Sequence, residues 1–471
     1  MERTDPAAVA ARMERIPTTG FTWMVVCLVS GALIVEALDI GTLGTILPVV
    51  RKVMTLTPSD VGLLAASSAF GIVIGMIPAG HLADRYGRKP LLMAGTIWFA
   101  GGTVLAAFSP NFAVLLIIRG LSGLGMAATF IMPFSIVSEF VSRTSRGAFS
   151  GILDTALGVG YLLPPLLGLT IIPLFLPDIA WRVLLVAAGL PVIYVWAIWR
   201  YLPESPRWLS RVGRYAEAEK ILVAMERRAE RSFGRPLPPP RIDPEIAQAV
   251  VPAPSTPSWK SLAIVWRRPY LTRTLAMICG SVGTSSIFYL GVNYIPSLFV
   301  ERHIFLTSAY LFTLIITGAQ IPGKLLNGVL GEYVGRKLIY LIYMAVAVMA
   351  AYFFGHSATA FAMVGWGVLM WFSAPGSAPS YKMWYGEQYP TPIRATGQST
   401  VESIGGRLLG GVVWTYLFPL LLARFGIATT MTIVAVMGVI AVAVVTAFAP
   451  ETYRQSVEQL EVHLARGSSV R

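Results

Sequence analysis

The chain predicts an all-α membrane protein of twelve transmembrane helices in two pseudo-symmetric six-helix halves, and three observations predict it. The first is composition. Of 471 residues, 55% are hydrophobic and 13% charged, with mean hydropathy +0.66; that charged share is about half of what a soluble domain carries. The second is length. Apolar runs of about 20 residues, enough to cross a bilayer, cover 21–49, 60–82, 90–108, 112–139, 147–173, 181–201, 270–299, 306–330, 338–355, 358–386, 395–423 and 427–449. Runs this long without strict alternation exclude a barrel, so helices satisfy the backbone in lipid. The third is internal repetition. Gly80-His-Leu-Ala-Asp-Arg-Tyr-Gly-Arg-Lys89 returns as Gly328-Val-Leu-Gly-Glu-Tyr-Val-Gly-Arg-Lys337, displaced by 248 residues. Glu139 and Arg146 return as Glu387 and Arg394 at the same displacement, and Asp154 falls on Glu402. Pro203-Glu-Ser returns as Pro450-Glu-Thr one residue out of step.

Net charge is +13, but its distribution argues against a nucleic-acid partner. Arg85, Arg88 and Lys89 lie between spans 2 and 3, Arg143 and Arg146 between spans 4 and 5, and Arg336 and Lys337 between spans 8 and 9. Twelve Lys and Arg residues fall within 203–268, whereas the alternate connections at 109–111 and 356–357 carry none. Basic residues on alternate sides place both termini and the central loop in the cytoplasm. The expected organisation is a cytoplasmic segment 1–20, a six-helix half 21–202, a cytoplasmic loop 203–268, a second half 269–449 and a cytoplasmic tail 450–471. Within the loop, Pro206 to Glu230 has the pattern of short amphipathic surface helices, and Gly234 to Pro257 reads as a Pro-rich extended linker. No small-residue cleavage site follows a signal-length apolar region, so span 1 is expected to remain as an anchor. Cys27 and Cys279 sit in apolar spans and read as packing residues.

Charges inside apolar spans are expensive, so they are the functional candidates. Glu36 and Asp39 are three apart on span 1 and share a face. Arg119 on span 4 lies at a comparable depth to Asp39. A carboxylate opposite a guanidinium can act as a proton switch, ionised when close and protonated when apart; the alternative is a static buried pair. Arg407 lies near the middle of span 11, where it can meet a substrate carboxylate or pair with Glu402. Asp154 and Glu402 are pseudo-equivalent and read as second protonation sites or structural partners. Tyr289, Asn293, Tyr294, Trp371, Tyr381, Trp384 and Tyr385 are expected around the substrate, where rings can frame a ring. Asp84, Arg88, Glu139 and Arg146 fall at cytoplasmic helix ends, and Glu332, Arg336, Glu387 and Arg394 repeat them. They are expected to bond between neighbouring helices and latch the cytoplasmic side; solvated loop charge is the alternative. His81, His303, His356 and His463 lie near span ends or in loops, which disfavours a histidine relay. No Walker A sequence is present, so ATP drive is not expected. Neither a metal nor an organic cofactor is expected; the coupling ion is the proton, and the partners are a small molecule and the bilayer, for a monomer.

Gly80–Lys89 resembles the signature Gly-x-Leu-x-Asp-Arg-x-Gly-Arg-Arg/Lys of the major facilitator superfamily, in the loop after helix 2. Arg119-Gly-Leu-Ser-Gly-Leu-Gly125 is similar to that superfamily's second motif. Glu139 with Arg146, and Pro203-Glu-Ser-Pro-Arg-Trp208, resemble its sugar-porter and organic-acid-symporter branches. The resemblance implies a secondary transporter with its site between the halves. Proton-coupled sugar porters resemble the chain at Asp39 and Arg119. Aromatic-acid symporters place Asp-x-x-Asp where Glu36-Ala-Leu-Asp39 stands, and a similar Gly-Arg element where Gly406-Arg407 stands. Two departures matter. Tyr333 replaces the first Arg of the repeated signature, and Ile287-Phe288 replace the helix 7 glutamines with which sugar porters bind hydroxyls, although Gly291-Val-Asn293 is kept. The expected function is proton-coupled import of an aromatic or cyclic monocarboxylate across a bacterial inner membrane, Arg407 holding the carboxylate. A sugar or polyol symporter, a drug–proton antiporter and a non-transporting nutrient receptor are the alternatives.

Overall fold

The computed structural model describes residues 6–141, 145–239, 259–389 and 393–452. Arg143, most of the Pro-rich linker, His463 and the tail from 453, together with the side chains of Arg146 and Glu332, lie outside the described residues. Regular structure among the described residues is helical throughout. Among the described residues, nine helical stretches are long and apolar enough to cross a membrane. One of them, Thr396–Phe448, holds two spans, and Arg88–Ala106 and residues 360–387 complete the twelve.

Several spans are discontinuous, and their breaks fall where sequence chemistry requires them. Span 5 is interrupted between Arg146–Gly160 and Leu163–Ile171, ahead of Pro164 and Pro165. Span 10 breaks between Ala360–Ser373 and Ala378–Glu387, around Pro375 and Gly376. Proline removes an N–H and crowds the preceding turn; in lipid such breaks survive only where protein or a cavity surrounds them. Gly426, at φ 73°, turns span 11 into span 12 within the helix Thr415–Phe448, a conformation that a residue with a Cβ rarely adopts.

The halves meet closely at the end of the bundle remote from the described start of the chain. Gly44 of span 1 presses against the Val292 carbonyl of span 7, and a Cβ there would overlap it. The Tyr310 hydroxyl of span 8 donates to the Thr45 carbonyl at 2.8 Å, and Arg51 pairs with Glu301 at 3.2 Å.

At the opposite end, the repeated signatures form two matching knots. Arg88 bonds Glu139 at 2.9 Å and Asp84 at 3.2 Å. Glu204 accepts from the backbone N–H groups of Arg88 and Lys89, and the Lys89 ammonium donates to the Trp199 carbonyl. In the second half, Arg336 bonds Glu387 at 2.7 Å, Glu451 accepts from the Lys337 N–H, and the Lys337 ammonium donates to the Thr446 carbonyl. A carboxylate at a helix N-terminus satisfies unpaired donors and complements the helix dipole. Each of these bonds joins elements of a single half. The expected latch is therefore, in this conformation, a brace within each half; Arg394 likewise turns to the Tyr389 carbonyl of its own half. Cys27 is exposed on the bundle surface and does not have the packing role its apolar setting suggests, while Cys279 is half-buried.

A short helix, Pro6–Glu14, is strapped to the central-loop helices Pro206–Arg211 and Tyr215–Phe233. Arg12 bonds Glu219 and Glu226, Arg15 bonds Glu226, and Arg207 bonds Glu14. Trp208 donates to the Asp84 carbonyl and so fixes this layer to the first half. Burial alone would raise the Glu226 carboxyl, but the hydrogen bonds from Arg12 and Arg15 together outweigh it and hold it below its ordinary 4.5. A carboxyl depressed on folding stabilises the docked state above its unfolded pKa, and that stabilisation is lost as pH falls from there through the folded value. Hydrogen exchange over residues 6–16, corrected for intrinsic rate, should therefore stay slow at neutral pH and quicken as pH drops below 4.5. Glu226→Gln should show the quickened exchange already at neutral pH, whereas unaltered protection in that variant would remove the clamp.

Candidate functional site

Span 1, Gly20–Val53, brings Glu36 and Asp39 to the centre of the bundle, and both are fully buried. One Arg119 nitrogen donates to the two Asp39 oxygens at 2.9 and 3.1 Å, and to the Thr103 hydroxyl oxygen at 3.0 Å. Thr103 itself donates to Asp39 in a short bond. Arg119 and Thr103 are also 0% exposed, so spans 1, 3 and 4 share an ion pair closed off from water. Glu36, one turn away, differs sharply. Neither of its carboxylate oxygens has a hydrogen-bond partner among the described residues, and the cations acting on it are Arg407 and Lys382. An unpaired carboxylate buried in this way is costly unless it holds a proton or a cation approaches.

The second half presents Arg407. It lies in Val401–Trp414, a stretch with i→i+5 hydrogen bonding, a geometry that is usually confined to single turns and is frequent at functional sites. Arg407 donates to the Tyr289 hydroxyl at 2.8 Å, and its Nε lies 3.5 Å from Glu402. Its guanidinium stands 3.9 Å from the centre of the Phe130 ring of span 4, a cation–π arrangement between the halves. The Tyr385 hydroxyl meets Glu402 at 3.5 Å. Phe288 lies edge-on to Tyr161 and Tyr289 and 5.9 Å from Trp371, whose indole N–H is buried without a partner.

Asp154 joins the halves. Its carboxylate accepts from Lys382 of span 10 at 2.8 Å, and its backbone carbonyl accepts from Lys324 of span 8 at 2.8 Å. Neither lysine is among the residues expected from sequence, although both are charges inside apolar spans and that signal alone would have found them.

The structure thus brings Glu36, Asp154, Tyr289, Trp371, Tyr385, Glu402 and Arg407 into one set of interactions around the centre, with Asp39 and Arg119 closed beside it. Other expected ligands are placed in packing contacts. The Tyr294 hydroxyl donates to the Thr415 carbonyl, and its ring stacks on Phe418. Tyr381 stacks on Tyr340 and donates to the Met277 carbonyl, while Trp384 donates to the Pro450 carbonyl. Asn293 is buried where span 7 crosses Gly44.

A two-half helical bundle with charges matched at its centre is the architecture of a membrane transporter. The model of the family "Sugar (and other) transporter" matches residues 24–464, and the chain belongs to that family, within the major facilitator superfamily. It is an integral membrane transporter and not an enzyme. It is 29% identical over 404 residues to the Niacin transporter NiaP of Acinetobacter baylyi, covering 86% of this chain and 88% of the relative. It is 25% identical to the Inner membrane metabolite transport protein YdjE of Escherichia coli, covering 98% and 99%, and 22% identical to the Benzoate transport protein of Acinetobacter baylyi, covering 90% and 89%. In fold it is similar to the inward open xylose transporter XylE of Escherichia coli, with TM-score 0.73 at 16% identity over 94% of this chain and 99% of that one.

Removing one partner of a buried ion pair strands the other charge, at a cost of about 3–5 kcal/mol. Arg119→Met should therefore lower the melting temperature in detergent more than the double variant Asp39→Asn/Arg119→Met does. Equal losses would mean that the pair is not the source of the stability.

Proposed function

We propose that the protein is a proton-coupled secondary transporter that imports a small organic anion, an aromatic or cyclic monocarboxylate, by alternating access. The observation that carries this reading is Arg407, a buried guanidinium bonded to a neutral hydroxyl and only loosely to Glu402, set against the aromatic rings of Phe130 and Tyr289. Such a group suits a carboxylate whose ring lies among aromatics. The relatives named for niacin and benzoate transport support the same substrate class. A sugar or polyol is the second reading, favoured by the family description and by the retained Asn293. Ile287 and Phe288 in place of hydroxyl-binding glutamines weigh against it.

In the proposed cycle Asp39 carries the proton. Arg119 and Thr103 bond its carboxylate oxygens in the conformation seen, so this pair has to open before the proton can be loaded. Glu36, whose carboxylate oxygens have no hydrogen-bond partner among the described residues, is a second proton site within the electrostatic reach of Arg407. The basic loops set both termini on the cytoplasmic face of a bacterial inner membrane. On that orientation the closed far end is periplasmic.

Reconstituted protein should take up labelled nicotinate or benzoate when a pH gradient is imposed, and leave sugars and polyols outside. Gradient-driven uptake of neutral polyols alone would replace the carboxylate reading with the second one. Asp39→Asn should abolish accumulation while exchange across the membrane persists, and full proton-driven uptake by this variant would sink its coupling role. Arg407→Ala should raise the half-saturation for the acid roughly tenfold to a hundredfold, the size of a lost hydrogen bond to a charged group. An unchanged value would remove Arg407 from the site.

A further inference from the structure

The carboxylate reading leaves two cations at the centre unused, Lys382 and Lys324, and Lys382 is the more exposed. Lys382 reaches from span 10 in the second half to Asp154 on span 5 in the first, at 2.8 Å. Its side chain is 30% exposed, while the Asp154 side chain is 6% exposed. The ammonium lies 6.0 Å from the centre of the Phe130 ring and 5.5 Å from that of Phe134. Phe130 is also the ring that Arg407 covers, so the two cationic heads of the second half flank one aromatic side chain of the first.

A tie of this kind cannot be permanent in a transporter whose halves rock. When it opens, Lys382 loses its hydrogen-bonded carboxylate inside the bundle, which is unfavourable for an ammonium only 30% exposed. A substrate carboxylate can take the place of Asp154 on this partly exposed ammonium as the halves part. Lys324, 6% exposed, also reaches across from the second half in this conformation and donates to the Asp154 backbone carbonyl at 2.8 Å.

We propose that Lys382 is a second anchor for the substrate anion, and that Asp154 holds its place until the anion arrives. This rests on the carboxylate reading. The anion first meets Arg407 and then draws Lys382 off Asp154. Binding thereby releases a contact between the halves at the moment the site is filled, and differential contacts of this kind let a ligand shift a conformational equilibrium.

The test compares Lys382→Met, Lys382→Arg, Asp154→Asn and the double variant Lys382→Met/Asp154→Asn in liposomes, with nicotinate and benzoate as probes. Lys382→Met should raise the half-saturation roughly tenfold or more, and Lys382→Arg should restore most of the affinity. Asp154→Asn frees the lysine, so half-saturation should fall or hold while the maximal rate drops. The double variant should be as weak as Lys382→Met. Recovery of wild-type half-saturation in the double variant would make the pair structural and overturn the proposal. So would an unchanged half-saturation in Lys382→Met. Melting in detergent with and without nicotinate supplies a readout independent of turnover. At one nicotinate concentration the ligand-induced shift should survive in Asp154→Asn and shrink in Lys382→Met, and a full shift in Lys382→Met would overturn the proposal as well. Uptake of neither acid by the unaltered protein would overturn the carboxylate reading itself, which separates that failure from this one.

Discussion

A charge enclosed by apolar helices has to be answered by another group, and this constraint organises the centre of the protein. Asp39 is answered completely by Arg119 and Thr103, and the three side chains draw spans 1, 3 and 4 together. Asp154 is answered by two lysines from the opposite half. Arg407 is answered in part, by a hydroxyl, a distant carboxylate and an aromatic face. Glu36 has no hydrogen-bonded answer among the described residues. Saturated pairs hold geometry, whereas incompletely satisfied ones can accept a mobile charge. The proposed proton and substrate therefore belong with Glu36 and Arg407, and with Asp39 only once its partner moves.

Duplication shows where this constraint was relaxed. The signature knots recur at their main bonds, with Arg88 and Glu139 matched by Arg336 and Glu387, and Glu204 matched by Glu451. Those bonds brace each half so that it can move as a body. The centre departs from the repeat. Shifted by 248 residues, Asp39 falls on Ile287, Glu36 on Thr284, Phe134 on Lys382 and Met76 on Lys324. Of the internal charges, Asp154 and Glu402 alone are matched. The first half thus supplies most of the carboxylates to the centre, and the second supplies most of the cations and many of the rings. A site polarised in this way suits an anion moving with protons better than a neutral polyol.

Much of this was legible in the sequence, for reasons that also mark the limit. The spans were readable because a bilayer needs a long apolar run and a repeat needs a register; even the turn at Gly426 falls between the expected spans 395–423 and 427–449. Asp39 and Arg119 were readable because isolated charges in such runs are rare, and Lys324 and Lys382 carried the same mark. Facing was harder to read. Tyr289 and Tyr294 are five residues apart on one helix, yet one meets Arg407 and the other bonds the Thr415 carbonyl. An aromatic ring serves packing and binding equally well, so residue type does not separate them. Within Val401–Trp414 the i→i+5 bonding alters the angular step per residue, so counting by the α-helical period misplaces the faces. The partners of Glu204 were hidden for another reason: backbone N–H groups leave no signature in a sequence.

In the proposed cycle, charge balance supplies the reason for proton and anion to travel together. Beside the closed Asp39–Arg119 pair, the central carboxylates are Glu36, Asp154 and Glu402, and the cations facing them are Arg407, Lys382 and Lys324. Three stand against three while all are ionised. A proton on Glu36 leaves the cations one in excess, and a monocarboxylate removes that excess. Each load therefore lowers the electrostatic cost of the other in a medium that screens charge poorly. Either load alone leaves a buried imbalance, which disfavours the compact arrangement in which the halves close around the site. Coupling on this view needs no long relay, because the Glu36 proton site and the Arg407 anion site act on one another electrostatically.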